Sequence, residues 1–167
     1  MKKFFAAVGT LCVAVCLAVS AFAAEYGEPN ITTQTTMKEL RENPSIKGSG
    51  LYTYVYIWER DCDLLRHSKD NDTMEQVIGT ESVNSCVAGM NYLIETYNAG
   101  TQITYKLFSP EEIAQDASRD RAELYYFPAE QPGAKYAVVL SGNALFYSGE
   151  MRGGVSTAWE LHQQGYA

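Results

Sequence analysis

The chain has 167 residues and a formal net charge of −7, with 20 acidic residues against 13 basic ones. This length fits at most one ordinary domain. An acidic chain without a basic stripe is a poor candidate for binding nucleic acid or anionic membranes, so neither is expected as a partner.

The amino terminus predicts export from the cell. Met1-Lys2-Lys3 is a positive start, residues 4–19 are apolar, and Ala21-Phe22-Ala23 matches a small-residue cleavage site. This pattern is typical of a secretory signal peptide. We therefore expect residues 1–23 to be removed and the mature protein to be secreted or periplasmic, with no membrane association after cleavage. An uncleaved anchor is disfavoured because the apolar stretch is shorter than the roughly 20 residues that a spanning helix needs.

Two cysteines, Cys62 and Cys86, remain after removal of the leader. In an oxidising compartment such a pair predicts a structural disulfide. A Cys62–Cys86 bridge would stabilise the fold by roughly 3 to 4 kcal/mol in the chain-entropy model. A catalytic thiol is the alternative, although neither position carries a feature that marks an activated cysteine.

Residues 24–100 predict helices alone. Thr36 and Glu39 form a capping box that starts a short helix, and Asn43-Pro44 stops it. Residues 45–50 are then expected to form a Gly/Ser-containing connector.

Three further helices are expected in the same region. Residues 51–67 favour a helix by their length, although their alternating aromatic residues also fit a strand. A short helix begins at Thr73 and is broken near Gly79. Residues 82–99 predict the longest helix, because apolar residues recur there at spacings of three and four, with Cys86 on the buried stripe.

Residues 101–167 predict strands that alternate with helices. Residues 103–108 and 122–127 are strand-like, and Ser109-Pro110 starts a brief helix between them. Residues 136–140 form a continuous apolar run, which predicts a strand buried on both faces of a sheet.

A small-residue loop comes after that strand, then a helix-period segment through Val155 and His162, a helix C-cap at Gly165, and a new apolar run at Tyr166. This order predicts most of a βαβ unit. The loop exposes backbone N–H groups at the carboxyl edge of the sheet, where ligands of open α/β sheets bind. Phosphate binding is disfavoured, because neither G-x-G-x-x-G nor the P-loop motif is present. The remaining chemistry is stabilisation of an oxyanion during acyl transfer.

Three strings in this region, residues 105–112 (YKLFSPEE), 124–129 (LYYFPA) and 137–144 (AVVLSGNA), resemble the opening of secreted bacterial α/β-hydrolases of the esterase and prolyl-oligopeptidase-like type. The resemblance implies an α/β fold: an incomplete α/β-hydrolase-type sheet over residues 101–167, preceded by a helical region over residues 24–100. In that family the loop after the third strand carries a Gly-rich oxyanion motif. The implied oxyanion-hole donors are the backbone N–H groups of Gly142, Asn143 and Ala144, of which only Gly142 matches a glycine of the family.

The family's G-x-S-x-G nucleophile elbow, with its subsequent acid and histidine, is absent from this sequence. His67 and His162 are the only histidines, and His162 is expected to be packed or solvated. The resemblance therefore implies the amino-terminal part of a serine hydrolase, truncated before the elbow, with no catalytic residue of its own and no activity. A truncated sheet also predicts an exposed apolar edge and poor solubility.

The implied substrate of the intact protein is a small-molecule or peptide-like acyl compound. No cofactor and no metal are expected, since the acidic clusters near residues 61–63 and 70–72 lack the spacing of a calcium loop. The oligomeric state stays open. The alternative function is a non-catalytic secreted binding module, stabilised by one disulfide, that uses the tyrosine-rich face of residues 51–67.

Overall fold

The computed structural model describes residues 28–51, 69–140 and 150–167. Its helices and strands, in chain order, are α1 (Met37–Glu42), α2 (Pro44–Ser49), α3 (Met74–Ile78), α4 (Val83–Asn98), β1 (Thr104–Lys106), α5 (Pro110–Gln115), a 3₁₀ helix (Ala117–Arg121), β2 (Glu123–Tyr125), a π-helical turn (Glu150–Val155) and α6 (Ser156–Gln163). The protein is thus a mixture of helices with a small two-stranded antiparallel sheet, which is compatible with the predicted α/β class. None of the helices within these three ranges has the length and apolarity needed to cross a bilayer.

The short helices α1 and α3 start side by side, each from a capping box. The Thr36 hydroxyl accepts a hydrogen bond from the Glu39 N–H, while the Glu39 carboxylate accepts one from the Thr36 N–H at 2.8 Å. Thr73 and Gln76 repeat the arrangement. An antiparallel bridge joins Thr36 to Thr73. Two helices of this length are marginal alone, so their paired N-termini stabilise each other.

Acid should weaken the start of α1. The pKa of Glu39 is lowered because the Thr36 backbone N–H, and then its hydroxyl, donate hydrogen bonds to the carboxylate. A lowered folded-state pKa contributes stability above the unfolded-state pKa, and that contribution is lost as the pH falls below about 4.3. We expect the urea midpoint to fall more between pH 6 and pH 3 for the wild type than for Glu39→Gln, because glutamine keeps the capping acceptor without titrating. Equal falls in the two proteins would contradict this role.

Residues 45–50 were expected to be a connector, but residues 45–49 instead form most of α2. The Asn43 side chain accepts hydrogen bonds from the backbone N–H groups of Ser45 and Ile46, and Pro44 occupies the first helical position. Gly50 ends the helix with a left-handed φ of 86°. Asn-Pro therefore stops α1 as predicted, but it is also an N-cap with a favourable first helical residue after it.

Strands β1 and β2 form an antiparallel hairpin around α5, close to the predicted positions. Lys106 lies opposite Glu123, and its ammonium group lies 2.5 Å from the Glu123 carboxylate. The hydrogen bond to Glu123 is the main reason why the pKa of Lys106 is raised. Tyr125 donates a second hydrogen bond to Glu123 at 2.7 Å. These contacts lie on one face of the hairpin. The other face exposes four large apolar side chains: Tyr105, Leu107, Leu124 and Tyr126.

The apolar segment of residues 135–140 begins with a short parallel pairing to the end of the chain. The Ala167 N–H donates to the Lys135 carbonyl at 2.9 Å, and the Ala167 carbonyl accepts from the Ala137 N–H at 3.0 Å. Ala167 therefore lies opposite Tyr136 and bonds to the residues on either side of it. This is the hydrogen-bond pattern of a parallel pair. Helix α6 forms part of the connection, and Gly165 comes after it at φ 88°, as predicted for the βαβ unit.

The prediction that this segment is buried on both faces is wrong. Tyr136, Val138 and Leu140 are 80%, 66% and 87% exposed. Ala137 and Val139 are half-buried. The sequence is suited to a two-sided interior strand, but within the described residues only Ala167 pairs with it. We call residues 135–140 the edge segment.

One hydrophobic core joins the two predicted regions. Its buried members include Met37, Leu40, Ile46, Leu51, Met74, Met90, Leu93, Ile94, Ile103, Phe127 and Val155. Helices α4 and α6 approach each other closely in this core at Gly89. A Cβ atom placed on Gly89 would lie 2.9 Å from Val155 Cγ1 and 3.1 Å from Trp159 Cβ. Residues 24–100 and 101–167 therefore share a single interior.

Candidate functional site

The predicted oxyanion donors Gly142, Asn143 and Ala144 lie outside the described residues, as do Ser141 and Ser148. Both flanks of their loop are described. The loop leaves the carboxyl end of the edge segment at Leu140 and enters the π-helical turn at Glu150. The parallel pair with Ala167 agrees with the predicted βαβ order, in which Leu140 would lie at the carboxyl end of the strand, the place where ligands of open α/β sheets bind.

Helix α6, the next helix after the loop, is anchored on α4 by polar contacts as well as by Gly89. The Ser156 Oγ lies 3.3 Å from the Ser82 carbonyl oxygen and 3.4 Å from the Met151 carbonyl oxygen, so its hydroxyl donates to one or the other. Ser85 donates to the Glu160 carboxylate at 3.0 Å. Ser156 is buried and bonded to the main chain, so it is a positioning group and lacks the adjacent base that activates a serine nucleophile.

His162 is packed, which confirms one of the two environments expected for it. Its ring is 6% exposed and lies in an aromatic cluster with Tyr92, Phe127 and Trp159, at centroid distances of 4.4, 6.1 and 5.5 Å. The Nδ1 atom is buried and has no hydrogen-bond partner. A catalytic base is oriented by a third group and lies within reach of its nucleophile, and this nitrogen has no such neighbour.

Tyr92 links the cluster to the chain after β2. Its hydroxyl donates to the Pro128 carbonyl at 2.8 Å, and its ring stacks on Phe127 at 5.9 Å. Burial is the main reason why the pKa of Tyr92 is raised. Neither Tyr92 nor Gly89 was predicted from the sequence. The signal for Gly89 was available, because an isolated glycine inside a helical pattern often marks a close packing contact.

Cys86 lies on the buried face of α4, as predicted, and is a free thiol in the structure. Cys62 lies outside the described residues, so the Cys62–Cys86 disulfide stays a prediction. Burial raises the pKa of the Cys86 thiol to about 12, and a hydrogen bond with Ser156 opposes that shift. At neutral pH the group is therefore a protonated thiol, the unreactive form.

In the reduced protein, Cys86 should therefore react only slowly with alkylating reagents. We expect iodoacetamide to modify Cys86 at least about 100-fold more slowly in the native protein than after unfolding in urea, because opening is required for access. Mass spectrometry of peptides that contain Cys86 gives the rate. Fast native alkylation would contradict the buried position. Unfolding without reductant also reports on the predicted bridge, since an intact disulfide leaves no thiol to alkylate.

An open cleft of about 390 Å³ lies where α2 and α4 end and β1 begins. Its lining residues are Gly48, Ser49, Tyr97, Gly100, Thr101, Gln102, Ile103 and Thr104. The Thr104 hydroxyl is buried there without a hydrogen-bond partner. No carboxylate, histidine or cysteine is among the lining residues, so the cleft offers hydrogen bonding without a group for acid–base chemistry near neutral pH.

Metal-binding chemistry has no support in the three described ranges, where no group of three or more His, Cys, Asp or Glu side chains comes together. Comparison of the chain with protein families, with characterised proteins and with solved structures found no match.

Proposed function

We propose that the chain is the amino-terminal part of a secreted serine hydrolase that acts on an ester or a peptide-like acyl bond, and that the chain alone is catalytically inert. In this proposal the loop after the edge segment supplies backbone N–H donors, from Gly142, Asn143 or Ala144, to the oxyanion of the tetrahedral intermediate. Preorganised donors of this kind are the largest single contribution to many acyl-transfer reactions.

The observation that carries the proposal is the parallel pairing of the edge segment with Ala167 across α6. It supports a strand–loop–helix–strand order in which the candidate loop lies at the carboxyl edge. That is the place where the α/β-hydrolase family, by resemblance, has its oxyanion loop. The exposed side chains of Tyr136, Val138 and Leu140 also agree with a sheet from which further strands are missing.

The catalytic half of the site has no candidate among the described residues. Ser156 is bonded to the main chain, His162 is enclosed by aromatic rings, and Cys86 has a raised pKa. The sequence also lacks a G-x-S-x-G elbow. An oxyanion loop without a nucleophile and base leaves the acyl bond with no attacking group.

We therefore expect the purified mature chain to show no hydrolysis of a short-chain p-nitrophenyl ester above the buffer rate. The measurement is the release of p-nitrophenol with and without a serine-directed fluorophosphonate. Turnover that the inhibitor abolishes would contradict the claim that the chain is inert, and turnover that it leaves unchanged would indicate a contaminant or a non-serine mechanism.

The nucleotide sequence downstream of the Ala167 codon tests the hydrolase assignment itself. We expect the coding sequence after the Ala167 codon, read in all frames, to continue the strand and to encode G-x-S-x-G further on. A continuation that lacks the elbow, with a stable and soluble product of residues 24–167, would favour the non-catalytic binding module instead. The tyrosine-rich face on which that alternative depends was predicted in residues 51–67, and residues 52–67 lie outside the described residues.

A further inference from the structure

The chain before α1, residues 28–35, is joined by hydrogen bonds to three different helices, and we call it the strap. At its start, the Asn43 Nδ2 atom donates to the Glu28 carbonyl at 3.2 Å, and Asn43 is also the N-cap of α2. Towards its end, the Thr33 carbonyl accepts at 2.9 Å from the N–H of Glu75, in the first turn of α3. The strap therefore connects α2 and α3 across the surface of the core.

The middle of the strap is held on α4 by one side chain, that of Asn91. The Ile31 N–H donates to Asn91 Oδ1 at 3.0 Å, and the Ile31 carbonyl accepts from Asn91 Nδ2 at 2.9 Å. A primary amide offers an acceptor and a donor side by side, so it satisfies both backbone groups of one residue, as a neighbouring strand would. The docking of Ile31 on α4 thus depends on a single residue 60 positions later in the chain.

The strap buries little compared with the helices beneath it. Ile31 is its only buried residue, and the others are exposed or half-buried. Segments with few buried apolar contacts and exposed hydrogen bonds open at a lower free energy than the core does. A turn inside the strap makes it a unit, because Thr35 N–H donates to the Thr32 carbonyl at 3.1 Å and the Thr35 hydroxyl accepts from the Thr32 N–H at 2.8 Å.

We propose that the strap opens as a unit while α2, α3 and α4 stay folded, and that Asn91 is the latch that holds it closed. Opening breaks the hydrogen bonds at Glu28, Ile31 and Thr33 and exposes one apolar side chain. The contact between α4 and α6 at Gly89 involves no strap residue, so it is kept in the open state. The proposal goes beyond the hydrolase assignment, since no residue of the candidate loop takes part in it.

The test is amide hydrogen exchange of the mature chain, measured residue by residue at several low urea concentrations. Two N–H groups bond across the boundary between strap and helices, those of Ile31 and Glu75, and we call them the strap amides. We expect similar protection factors for the two, at least about 100-fold below that of Leu93 in the buried face of α4. Their exchange should depend only weakly on urea, because opening exposes little surface. Protection of the strap amides equal to that of Leu93 would overturn the proposal.

The latch is tested by Asn91→Asp, which keeps the acceptor for the Ile31 N–H but removes the donor to the Ile31 carbonyl. We expect protection of the strap amides to fall by about 10-fold or more, because that carbonyl is left without a partner beside a carboxylate. Asn84→Asp adds the same charge at an exposed position of the same helix and should change their protection by less than about 2-fold. Unchanged protection in Asn91→Asp would show that Asn91 is not the latch.

Independence from global unfolding is tested by Val155→Ala. Val155 lies against Gly89, which is about 200° around α4 from Asn91, so the change is made on the opposite side of that helix. The cavity should lower the protection of Leu93 by about 10-fold or more. Protection of the strap amides should stay within about 2-fold, because the open state keeps the contact between α4 and α6. An equal fall at Leu93 and at the strap amides would show that the strap opens only when the whole protein unfolds, which would overturn the proposal.

Discussion

Gly89→Leu should destabilise the protein by about 2 to 3 kcal/mol. The Cβ atom alone would lie 2.9 Å from Val155 Cγ1 and 3.1 Å from Trp159 Cβ, and the remaining leucine atoms have no space between α4 and α6. Overpacking of this kind forces helices apart or side chains off their rotamers. Leucine is also the better helix former by roughly 0.8 kcal/mol, so the observed loss is a net value after that gain.

The matched control is Gly153→Leu, because a Cβ atom on Gly153 meets nothing within 4 Å. We expect its stability to lie within about 0.5 kcal/mol of the wild type. Urea denaturation monitored by circular dichroism measures both variants, and Gly89→Leu should lower the midpoint by roughly 1 M. Equal midpoints for the two variants would show that α4 and α6 are not in close contact.

His162→Ala should cost about 2 to 4 kcal/mol, whereas His162→Phe should leave stability within about 1 kcal/mol of the wild type. The alanine variant removes a ring that lies 4.4 Å from Tyr92 and 5.5 Å from Trp159 and leaves a cavity. The phenylalanine variant keeps the ring stacking and replaces a buried Nδ1 that has no hydrogen-bond partner. Loss of an unsatisfied polar atom is neutral or favourable when the shape is kept.

The two His162 variants distinguish a role in packing from a role in acid–base catalysis. Thermal unfolding of the three proteins gives the stability difference, and a large loss in His162→Phe would indicate that the imidazole nitrogens make a contact that phenylalanine cannot replace. If the downstream gene encodes an active hydrolase, His162→Phe should also keep its kcat and pH profile. A drop in kcat by a factor of about 100 or more would place His162 in the acid–base machinery instead.

The helix starts could be predicted from the sequence because their signals are local. Helix starts were predicted at Thr36, Thr73 and Ser109, and a capping box forms at each of them. The same rule missed α2, because Asn43-Pro44 is both a stop for one helix and a start for the next. A local signal of this kind fixes where a helix begins, but it does not decide whether the chain after a proline is helical or irregular.

The burial of the edge segment could not be predicted, because burial depends on neighbours that the segment does not encode. Tyr136–Leu140 has the composition of a strand covered on both faces, and its exposure depends on the elements that pack against it. The same holds for His162, whose place among Tyr92, Phe127 and Trp159 requires α4, α6 and the chain after β2 to meet. The periodicity of the sequence predicts that His162 lies on a helix, but it does not predict which residues His162 contacts.

The most direct test of the account is amide hydrogen exchange at single-residue resolution in the edge segment. Parallel pairing with Ala167 predicts slow exchange at Ala137 and Ala167, whose N–H groups are hydrogen-bonded, and fast exchange at Val139, which lies beyond the pair. Fast exchange at both Ala137 and Ala167 would contradict the strand–loop–helix–strand order, and with it the proposal that an oxyanion loop lies at the carboxyl edge of a sheet.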